Sequence, residues 1–388
     1  MVRFAPLNVP LHRRLETFAL TYHILSIPVW MSFFLLCCAI PLMWPLVIIY
    51  LLYYASDNSS ENGGVASRYS PKFRSVPLWK YFANYFPITL HRTQELPPAF
   101  VYQGEDLDPE TPDDSDDGHA KSKSIVLKLW KVAFWWYYLP KHFLRKPEVR
   151  PTGRRYIFGY HPHGIIGMGA IGAIATEGAG WSKLFPGIPV SLLTLANNFR
   201  IPLYREYLMS LGIASVSRRS CEALLKRGQS ICIVIGGAQE SLLAHPGHMD
   251  LVLKRRKGFI KLALEVGNTD LVPVMAFGEN DLYQQVNSSK SSRLYKLQSL
   301  VKNALGFTLP LMHARGVFNY DVGIIPYRRP INVVVGKPIP IPHIPNPSAD
   351  QVNRYQIQYM TELKELYDKY KDKCSNKDLP VPELTFVE

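Results

Sequence analysis

Two histidines separated by one residue are the side chains of this sequence best suited to chemistry. His161 and His163 lie in the run YHPHG, directly after a short apolar segment that predicts a buried strand. Because residues two apart in an extended chain point the same way, both imidazoles are expected to share one face. A histidine titrates near neutral pH, so it can take a proton from an alcohol. We predict His163 as the base, with His161 as the alternative, and Gly164 as a point of close approach for a ligand.

Two glycines and a glutamate form a second candidate motif. Gly236 and Gly237 follow the apolar run ICIVI, which predicts another buried strand, and Glu240 comes three residues later. Glycines at a strand end bring backbone N–H groups to the surface, where they can stabilise an oxyanion or contact phosphate. A carboxylate at the same sheet edge would orient the His163 imidazole. The alternative for Glu240 is a contact with the N-terminus of a helix.

A basic run opens the next predicted helix. It reads KRRKGF over residues 254–259, and Lys261 follows one turn later. The N–H groups and dipole of a helix N-terminus also favour anions, so we predict that Arg256, Lys257 and Lys261 bind phosphates such as those of coenzyme A. The alternative is an ordinary solvated basic face.

Other kinds of site are less well supported. The sequence has no GxSxG elbow and no GxxxxGK[ST] loop, which disfavours a serine hydrolase and an NTPase. The two histidines can instead chelate zinc if His245 or His248 supplies a third ligand, although no metal is our main prediction. One imidazole can also serve only as a hydrogen-bonding partner of the backbone.

An uncharged apolar segment precedes these motifs. Residues 24–56 contain no Asp, Glu, Lys or Arg, and they exceed the roughly 20 residues of one helical span. Pro41 and Pro45 interrupt the segment and favour a hairpin, with a kinked single span as the alternative. Basic residues flank both ends, which favours keeping both in the cytosol. We therefore predict that residues 1–74 form a tail and a membrane-embedded helical hairpin.

Residues 75–150 combine aromatic and basic side chains with an acidic stretch. Segments 75–93 and 125–146 favour a position on the membrane surface, with an aromatic core helix as the alternative. Residues 105–117 hold eight acids and no base, so 103–124 predicts a disordered linker. The whole chain of 388 residues carries a net charge of +13, which suits anionic membranes or polyphosphates. No zinc-finger or RRM pattern supports a nucleic-acid partner.

Strands and helices alternate in residues 151–388. Short β-branched runs bounded by glycine or proline predict four buried strands, at Tyr156–Tyr160, Ser230–Ile235, Leu271–Phe277 and Ile331–Val335. Helices are predicted over 218–227 and 259–266, which implies an α/β domain with a largely parallel sheet. Ser348 and Gln351 have the spacing of a capping box that starts a C-terminal amphipathic helix.

In combination these motifs resemble the type-2 diacylglycerol O-acyltransferase family. The resemblance rests on YFP (85–87), YHPHG (160–164), GGAQE (236–240), RKGFIKLALEVG (256–267), LVPVMAFGEN (271–280) and ARGVF (314–318). It covers nearly everything from Arg154 to the C-terminus and the apolar N-terminal region. Monoacylglycerol and wax-alcohol acyltransferases share these motifs, so the acceptor alcohol stays open.

The resemblance implies transfer of a fatty acyl group from acyl-CoA to the hydroxyl of diacylglycerol, which forms triacylglycerol. Acyl-CoA is then a co-substrate, no cofactor is expected, and the partners are acyl-CoA, diacylglycerol and membrane lipid. A homo-oligomer is compatible with the sequence. The implied location is the endoplasmic reticulum membrane, with the catalytic domain facing the cytosol, and the lipid droplet surface. A non-catalytic lipid-droplet hairpin protein and a metal-dependent lipid hydrolase are the alternatives from other classes.

The resemblance also implies a fold like that of the glycerolipid acyltransferases, which carry an H-x-x-x-x-D pair. This sequence departs from that pattern, because Ile166 and Met168 stand five residues after the two histidines. Glu240 is therefore the predicted orienting acid.

Overall fold

A central sheet organises the part of the chain that the computed structural model describes, which is residues 3–6, 8–102, 149–285 and 312–387. Its strands are β1 (Thr89–Arg92), β2 (Arg155–His161), β3 (Val190–Thr194), β4 (Ala214–Ser215), β5 (Ser230–Val234), β6 (Thr269–Phe277) and β7 (Asn332–Val335). The spatial order is β1-β7-β6-β2-β5-β3-β4. Strands β6, β2, β5, β3 and β4 are mutually parallel, and only β7 runs antiparallel to its neighbour β6. The predicted largely parallel α/β sheet is confirmed.

The middle of this sheet explains where ligands can bind. Strand β2 pairs with β6 over seven residues, from Arg155 opposite Thr269 to His161 opposite Met275. Its residues 156–161 are all buried, which requires cover on both faces and accounts for the continuous apolar run. Because β2, β5 and β6 are parallel, the loops after all three emerge at one edge, which we call the carboxyl edge.

The helices that cover the sheet follow the predicted signals. Helix Arg218–Lys226 begins after Ser217, whose side chain accepts a hydrogen bond from the Ser220 amide. Helix Gly258–Val266 follows the basic run. The C-terminal helix, Ala349–Cys374, starts with the complete capping box of Ser348 and Gln351. Its buried side chains face β6 and helix Gly258–Val266, so the predicted amphipathic face is a packing face.

The remaining elements are short. Helices lie at Val65–Arg68, Pro71–Arg74, Pro77–Tyr85, Met168–Ala170, Trp181–Leu184 and Tyr204–Ser210. Turns of 3-10 helix lie at Pro41–Met43, Ala196–Arg200, Gly237–Leu242 and Glu279–Leu282, and a π-helical turn lies at Ile171–Ala175. Two-stranded pairs join Phe100–Tyr102 with Val149–Pro151, Met249–Val252 with Leu384–Val387, and Gln284–Gln285 with Met312–His313.

Three helices form the N-terminal region. The N-terminal helix, Leu11–Ile24, packs on helix Pro77–Tyr85. The apolar hairpin consists of Ser26–Ala39 and Trp44–Ser56, which meet at Pro41–Met43. The rings of Phe34 and Tyr50 lie 6.1 Å apart, about equally far from the turn, so the two helices fold back on each other.

The lengths of these helices limit what each can do in a bilayer. In the described residues no single helix is long and apolar enough to span a membrane. Leu11–Ile24 and Ser26–Ala39 together are long and apolar enough, but the pair is bent by 67°. Many apolar side chains of the hairpin face outward, including those of Leu36 and Leu42.

An ionic cluster ties the hairpin to the α/β domain. Asp57, next to the last residue of the hairpin, forms an ion pair of 2.9 Å with Arg68 and a second pair with Arg205. Arg68 also contacts Glu206 at 3.0 Å. Arg205 and Glu206 belong to helix Tyr204–Ser210, so the base of the hairpin is anchored directly on the domain.

The prediction of a membrane-surface position for 75–93 is wrong for its main aromatic side chains. Helix Pro77–Tyr85 turns Trp79, Phe82 and Tyr85 fully into the core, which makes it the aromatic core helix of the alternative. These large rings gain more from burial in a packed core than from the interface. The predictions for 103–124 and 125–146 fall outside the described residues.

Candidate active site

Three motifs meet at the carboxyl edge of the sheet. His161 is the last residue of β2, Gly236 follows β5, and Glu279 follows β6. The parallel pairing of these strands brings residues that are far apart in the sequence to one place. This is the position at which open α/β sheets bind ligands.

His163 carries a neutral imidazole at this edge. Its side chain is partly exposed, and its Nδ1 lies 3.0 Å from the carbonyl oxygen of Gly164. Since a carbonyl only accepts, Nδ1 carries the proton and Nε2 carries the lone pair. Burial lowers the pKa of His163, the Gly164 carbonyl opposes that shift, and the charge of Arg256 adds to it. The ring is therefore unprotonated on Nε2 at neutral pH.

His161 lies inside the packed core. It is completely buried, and its Nε2 lies 3.0 Å from the hydroxyl of Tyr359, which donates in turn to the Gly159 carbonyl at 3.2 Å. Burial lowers the pKa of His161 to about 3. The prediction that both rings share one ligand face is wrong. His161 ends the strand beneath the C-terminal helix, whereas His163 lies where the chain has already turned away.

Glu240 stands beside His163, but its partner differs from the prediction. One carboxylate oxygen accepts the backbone N–H of His163 at 2.6 Å, and the other accepts that of Val252 at 2.7 Å. Burial raises the pKa of Glu240 to about 7, although the two N–H groups and Arg256 oppose the shift. Glu240 thus fixes the backbone of His163, and the Gly164 carbonyl orients the ring.

The glycine pair lies against the same carboxylate. Gly236 and Gly237 have φ angles of 114° and 66°, which favour glycine. A Cβ on Gly236 would collide with the Glu240 carboxylate. The Arg256 guanidinium donates to the Gly236 carbonyl at 2.8 Å, so the basic run is joined to this turn.

The other two predicted cations lie farther along the surface. Lys257 donates to Asn353 of the C-terminal helix at 2.6 Å, and Lys261 lies 3.8 Å from Glu265 on its own helix. Both side chains are exposed. Of the three predicted phosphate ligands, the structure brings Arg256 to the site and leaves Lys257 and Lys261 on an adjoining basic face.

Glu279 is the site residue that the sequence analysis did not identify. It is buried and accepts three hydrogen bonds, from the Tyr160 hydroxyl at 2.7 Å and from the amides of Met168 and Gly169 at 2.7 and 2.9 Å. Burial raises the pKa of Glu279 to about 7 against these donors. The run FGEN could have indicated Glu279, because it places a glycine and a glutamate after a buried strand, as GGAQE does.

The carboxylate of Glu279 also supports the YHPHG loop. Gly164 has a φ angle of 61°, and a Cβ there would lie 2.7 Å from Cγ of Glu279. Residues 167–172 have the GxGxxG spacing of a dinucleotide site. In such a site the pyrophosphate binds the first N–H groups of the following helix. Here those groups, the amides of Met168 and Gly169, already donate to Glu279.

The zinc alternative has little support in the geometry. In the part of the chain that the structure describes, no group of three or more His, Cys, Asp or Glu side chains is arranged to hold a metal ion. The ring of His161 is instead engaged by Tyr359.

Known proteins support the resemblance found in the motifs. The diacylglycerol acyltransferase family model matches residues 34–103 and 113–382. Diacylglycerol O-acyltransferase 1 of Saccharomyces cerevisiae is 45% identical over 98% of this chain and 88% of its own length. The protein of the same name from Eremothecium gossypii is also 45% identical, over 98% of this chain and 80% of its own. The 2-acylglycerol O-acyltransferase 1 of Bos taurus is 38% identical over 96% of both chains. No solved structure matches.

The sheet, the site and these relatives together define a class of α/β acyltransferase. The chain belongs to the diacylglycerol acyltransferase family. The resemblance to the type-2 family is thereby confirmed.

Proposed function

We propose that this protein is a membrane-bound acyl-CoA:diacylglycerol O-acyltransferase that forms triacylglycerol. The observation that carries the proposal is His163, a partly exposed neutral imidazole at the carboxyl edge with its proton held on Nδ1 by the Gly164 carbonyl. Relatives named for diacylglycerol are 40–45% identical, against 38% for the relatives named for 2-acylglycerol. That difference favours diacylglycerol as the acceptor.

The reaction is a direct transfer without a covalent enzyme intermediate. His163 Nε2 removes the proton of the acceptor hydroxyl as its oxygen attacks the thioester carbonyl. In the described residues the N–H groups of Gly236 and Gly237 have no protein acceptor, so they are available to the tetrahedral oxyanion. The C–S bond then breaks and the ester is released. The CoA thiolate accepts from His163 the proton that came from the acceptor hydroxyl.

The surroundings of His163 suit one greasy and one charged substrate. Exposed Ile166 follows the YHPHG loop and exposed Leu195 follows β3, so both place apolar surface at the carboxyl edge. On the side of β5, Arg256 begins the exposed basic face formed with Lys257 and Lys261. We assign the apolar side to the acceptor and the basic face to the phosphates of coenzyme A.

The apolar hairpin gives this enzyme its place at a membrane. Its outward-facing apolar side chains would lie in lipid, while the ionic cluster at Asp57 holds the domain at the surface. The acceptor dissolves in lipid and acyl-CoA in water, so a site at the interface reaches both. We propose the cytosolic face of the endoplasmic reticulum and the lipid droplet surface as its locations.

The test is an assay of the purified protein in lipid vesicles that contain diacylglycerol, monoacylglycerol or a long-chain alcohol. We expect CoA release and triacylglycerol with diacylglycerol. His163→Ala should lower kcat by about 10²–10⁴-fold. His343→Ala, which removes an exposed histidine at the far end of helix Gly258–Val266, should leave kcat unchanged.

The other outcomes separate the alternatives. Full activity of His163→Ala would eliminate His163 as the base. Preference for another acceptor would assign the protein to the monoacylglycerol or wax-alcohol acyltransferases. No CoA release with any acceptor would favour a non-catalytic droplet protein, and chelator inhibition reversed by zinc would favour a metal-dependent hydrolase.

A further inference from the structure

A cluster of apolar side chains lies exposed outside the hairpin and the active site. Phe4 comes from the N-terminal tail, and the other members come from the loop 314–325. The tail–loop patch consists of Phe4, Val317, Phe318, Val322 and Ile324, which are between 38% and 77% exposed. Leaving a large apolar side chain in water forgoes the free energy that its burial would contribute. A cluster of five therefore indicates a surface that is covered when the protein works.

The patch is assembled by specific contacts. The Ala5 amide donates to the Phe318 carbonyl at 2.8 Å, and the Tyr320 amide donates to the Arg3 carbonyl at 2.9 Å. Arg3 also forms an ion pair of 2.7 Å with Asp321. These bonds hold the tail against the loop across more than 300 positions of sequence and set Phe4 opposite Asn319 in an antiparallel bridge.

The loop itself is closed at its base. The Ala314 amide donates to Gly323 at 2.8 Å, and Arg315 and Ile325 exchange two backbone hydrogen bonds of 2.9 Å. Three residues beyond Ile325, Arg328 pairs with Glu16 of the N-terminal helix. That helix leads directly into the apolar hairpin and itself exposes Leu11 and Phe18. The patch is thus continuous, through the N-terminal helix, with the proposed membrane anchor.

The charge around the patch fits an anionic lipid surface. Segments 3–16 and 312–331 hold six arginines and two acids, Glu16 and Asp321. Asp321 is paired with Arg3, and Glu16 with Arg13 and Arg328. Apolar tips in segments of net positive charge are typical of elements that enter the headgroup region.

We propose that the tail–loop patch is a second lipid contact, separate from the hairpin, that inserts apolar side chains of the loop, Phe318 among them, into the headgroup region. Two contacts on one rigid domain fix its tilt, and with it the direction in which the carboxyl edge faces the bilayer. The inference rests on the membrane attachment proposed above.

The experiment places a fluorescent probe at single cysteines of the full chain in vesicles that contain phosphatidylserine. Cys37 and Cys38 are replaced by serine, since the other three cysteines are buried. The probe is attached at Phe318→Cys, and quencher lipids carry a spin label near the headgroup. A probe at Leu42→Cys, at the tip of the hairpin, reports membrane attachment itself. Its quencher lipid carries the spin label deeper, in the acyl chain. Ile357→Cys, an exposed apolar position on the C-terminal helix, is the matched control.

We expect the probe at position 318 to lose most of its fluorescence to the shallow quencher, while the probe at 357 loses none. Quenching at 42 without quenching at 318 would overturn this inference and leave membrane attachment intact. The absence of quenching at both 42 and 318 would overturn both proposals. A probe at 318 that is shielded from water but insensitive to quencher lipid would show contact with a second copy and would also overturn the inference.

Discussion

Two buried carboxylates hold the loop that carries His163, the proposed base. Glu240 binds the amide of His163 from the side of β5, and Glu279 binds the amides of Met168 and Gly169 from the side of β6. Both lie in low dielectric, and burial raises both pKa values to about 7. Fixing the loop in this way costs free energy, because burial removes each carboxylate from water and disfavours its charged form.

The first prediction concerns Glu279 and the pH dependence of stability. A carboxyl whose pKa is higher in the folded state than in the unfolded state stabilises the fold at low pH, and that stability is lost as pH rises through about 7. Between about pH 4.5 and 7 this single group should contribute a slope of up to about 1.4 kcal/mol per pH unit. Glu279→Gln should remove that share of the slope.

The measurement is the midpoint of thermal unfolding in detergent across this pH range. Exposed Glu365→Gln is the matched control and should follow the parent protein. An unchanged slope in Glu279→Gln would contradict the prediction.

The second prediction concerns Glu240 and turnover. In Glu240→Gln an amide NH₂ must face the N–H of either His163 or Val252, and one buried donor stays unsatisfied. Such a group costs about 1–3 kcal/mol, and displacement of the loop should lower kcat by about one to two orders of magnitude. Steady-state kinetics in vesicles measure this effect, with Glu222→Gln on an exposed ion pair as control. A normal kcat would show that the anchoring of this amide is unimportant.

At the scale of the elements, the C-terminal helix locks the central strand. Tyr359 reaches from this helix to the His161 ring and to the Gly159 carbonyl. The helix can approach so closely because Gly159 has no side chain, and a Cβ there would collide with the Tyr359 hydroxyl. His161 therefore joins the strand, the helix and the start of the catalytic loop.

The third prediction tests this contact by a double-mutant cycle. Gly159→Ala should destabilise the fold by about 1–3 kcal/mol through overpacking. Tyr359→Phe removes the colliding hydroxyl, so the double variant should be less destabilised than the sum of the single variants. Thermal unfolding of the four proteins measures the coupling. Strict additivity would mean that the strand and the helix do not meet as described.

At the scale of the whole molecule, a short hairpin is attached rigidly to a catalytic domain. Its helices have 14 and 13 residues, so each is about 20 Å long, less than the roughly 30 Å of a bilayer core. We expect a hairpin that enters the membrane and returns without crossing it. The ionic cluster at its base then sets the height of the active site above the lipid.

The fourth prediction concerns the topology of that hairpin. Single cysteines at His12 and Asn62, before and after the hairpin, should both react with a membrane-impermeant maleimide in sealed microsomes, in a background with Cys37 and Cys38 replaced by serine. A cysteine at Leu42, at the turn, should stay protected. Labelling at only one of the two flanking positions would support the kinked single span instead. Permeabilised microsomes provide the control for reagent access.

Four of the seven strands of the central sheet and the main helices of the α/β domain follow from local physics, and the sequence predicted them. Strand β2, the capping box at Ser348 and the amphipathic pattern of the C-terminal helix each depend on neighbours within a few residues. The glycines after β5 and the histidines after β2 were identified because parallel strands end at one edge. The burial of Trp79 and Phe82 was missed, since composition alone does not distinguish a membrane interface from a core.

By itself, then, the sequence determined the α/β class, the apolar hairpin, the family and every chemical group of the candidate site named here except Glu279. Only the tertiary structure decided what each group does. It buried His161 under Tyr359, left His163 partly exposed, gave Glu240 a backbone partner and brought Glu279 to the loop. Residue type and spacing fix which chemistry is available, but a proton acceptor works only where long-range packing sets its burial and its partners. Those contacts join residues more than 70 positions apart, and no local pattern encodes them.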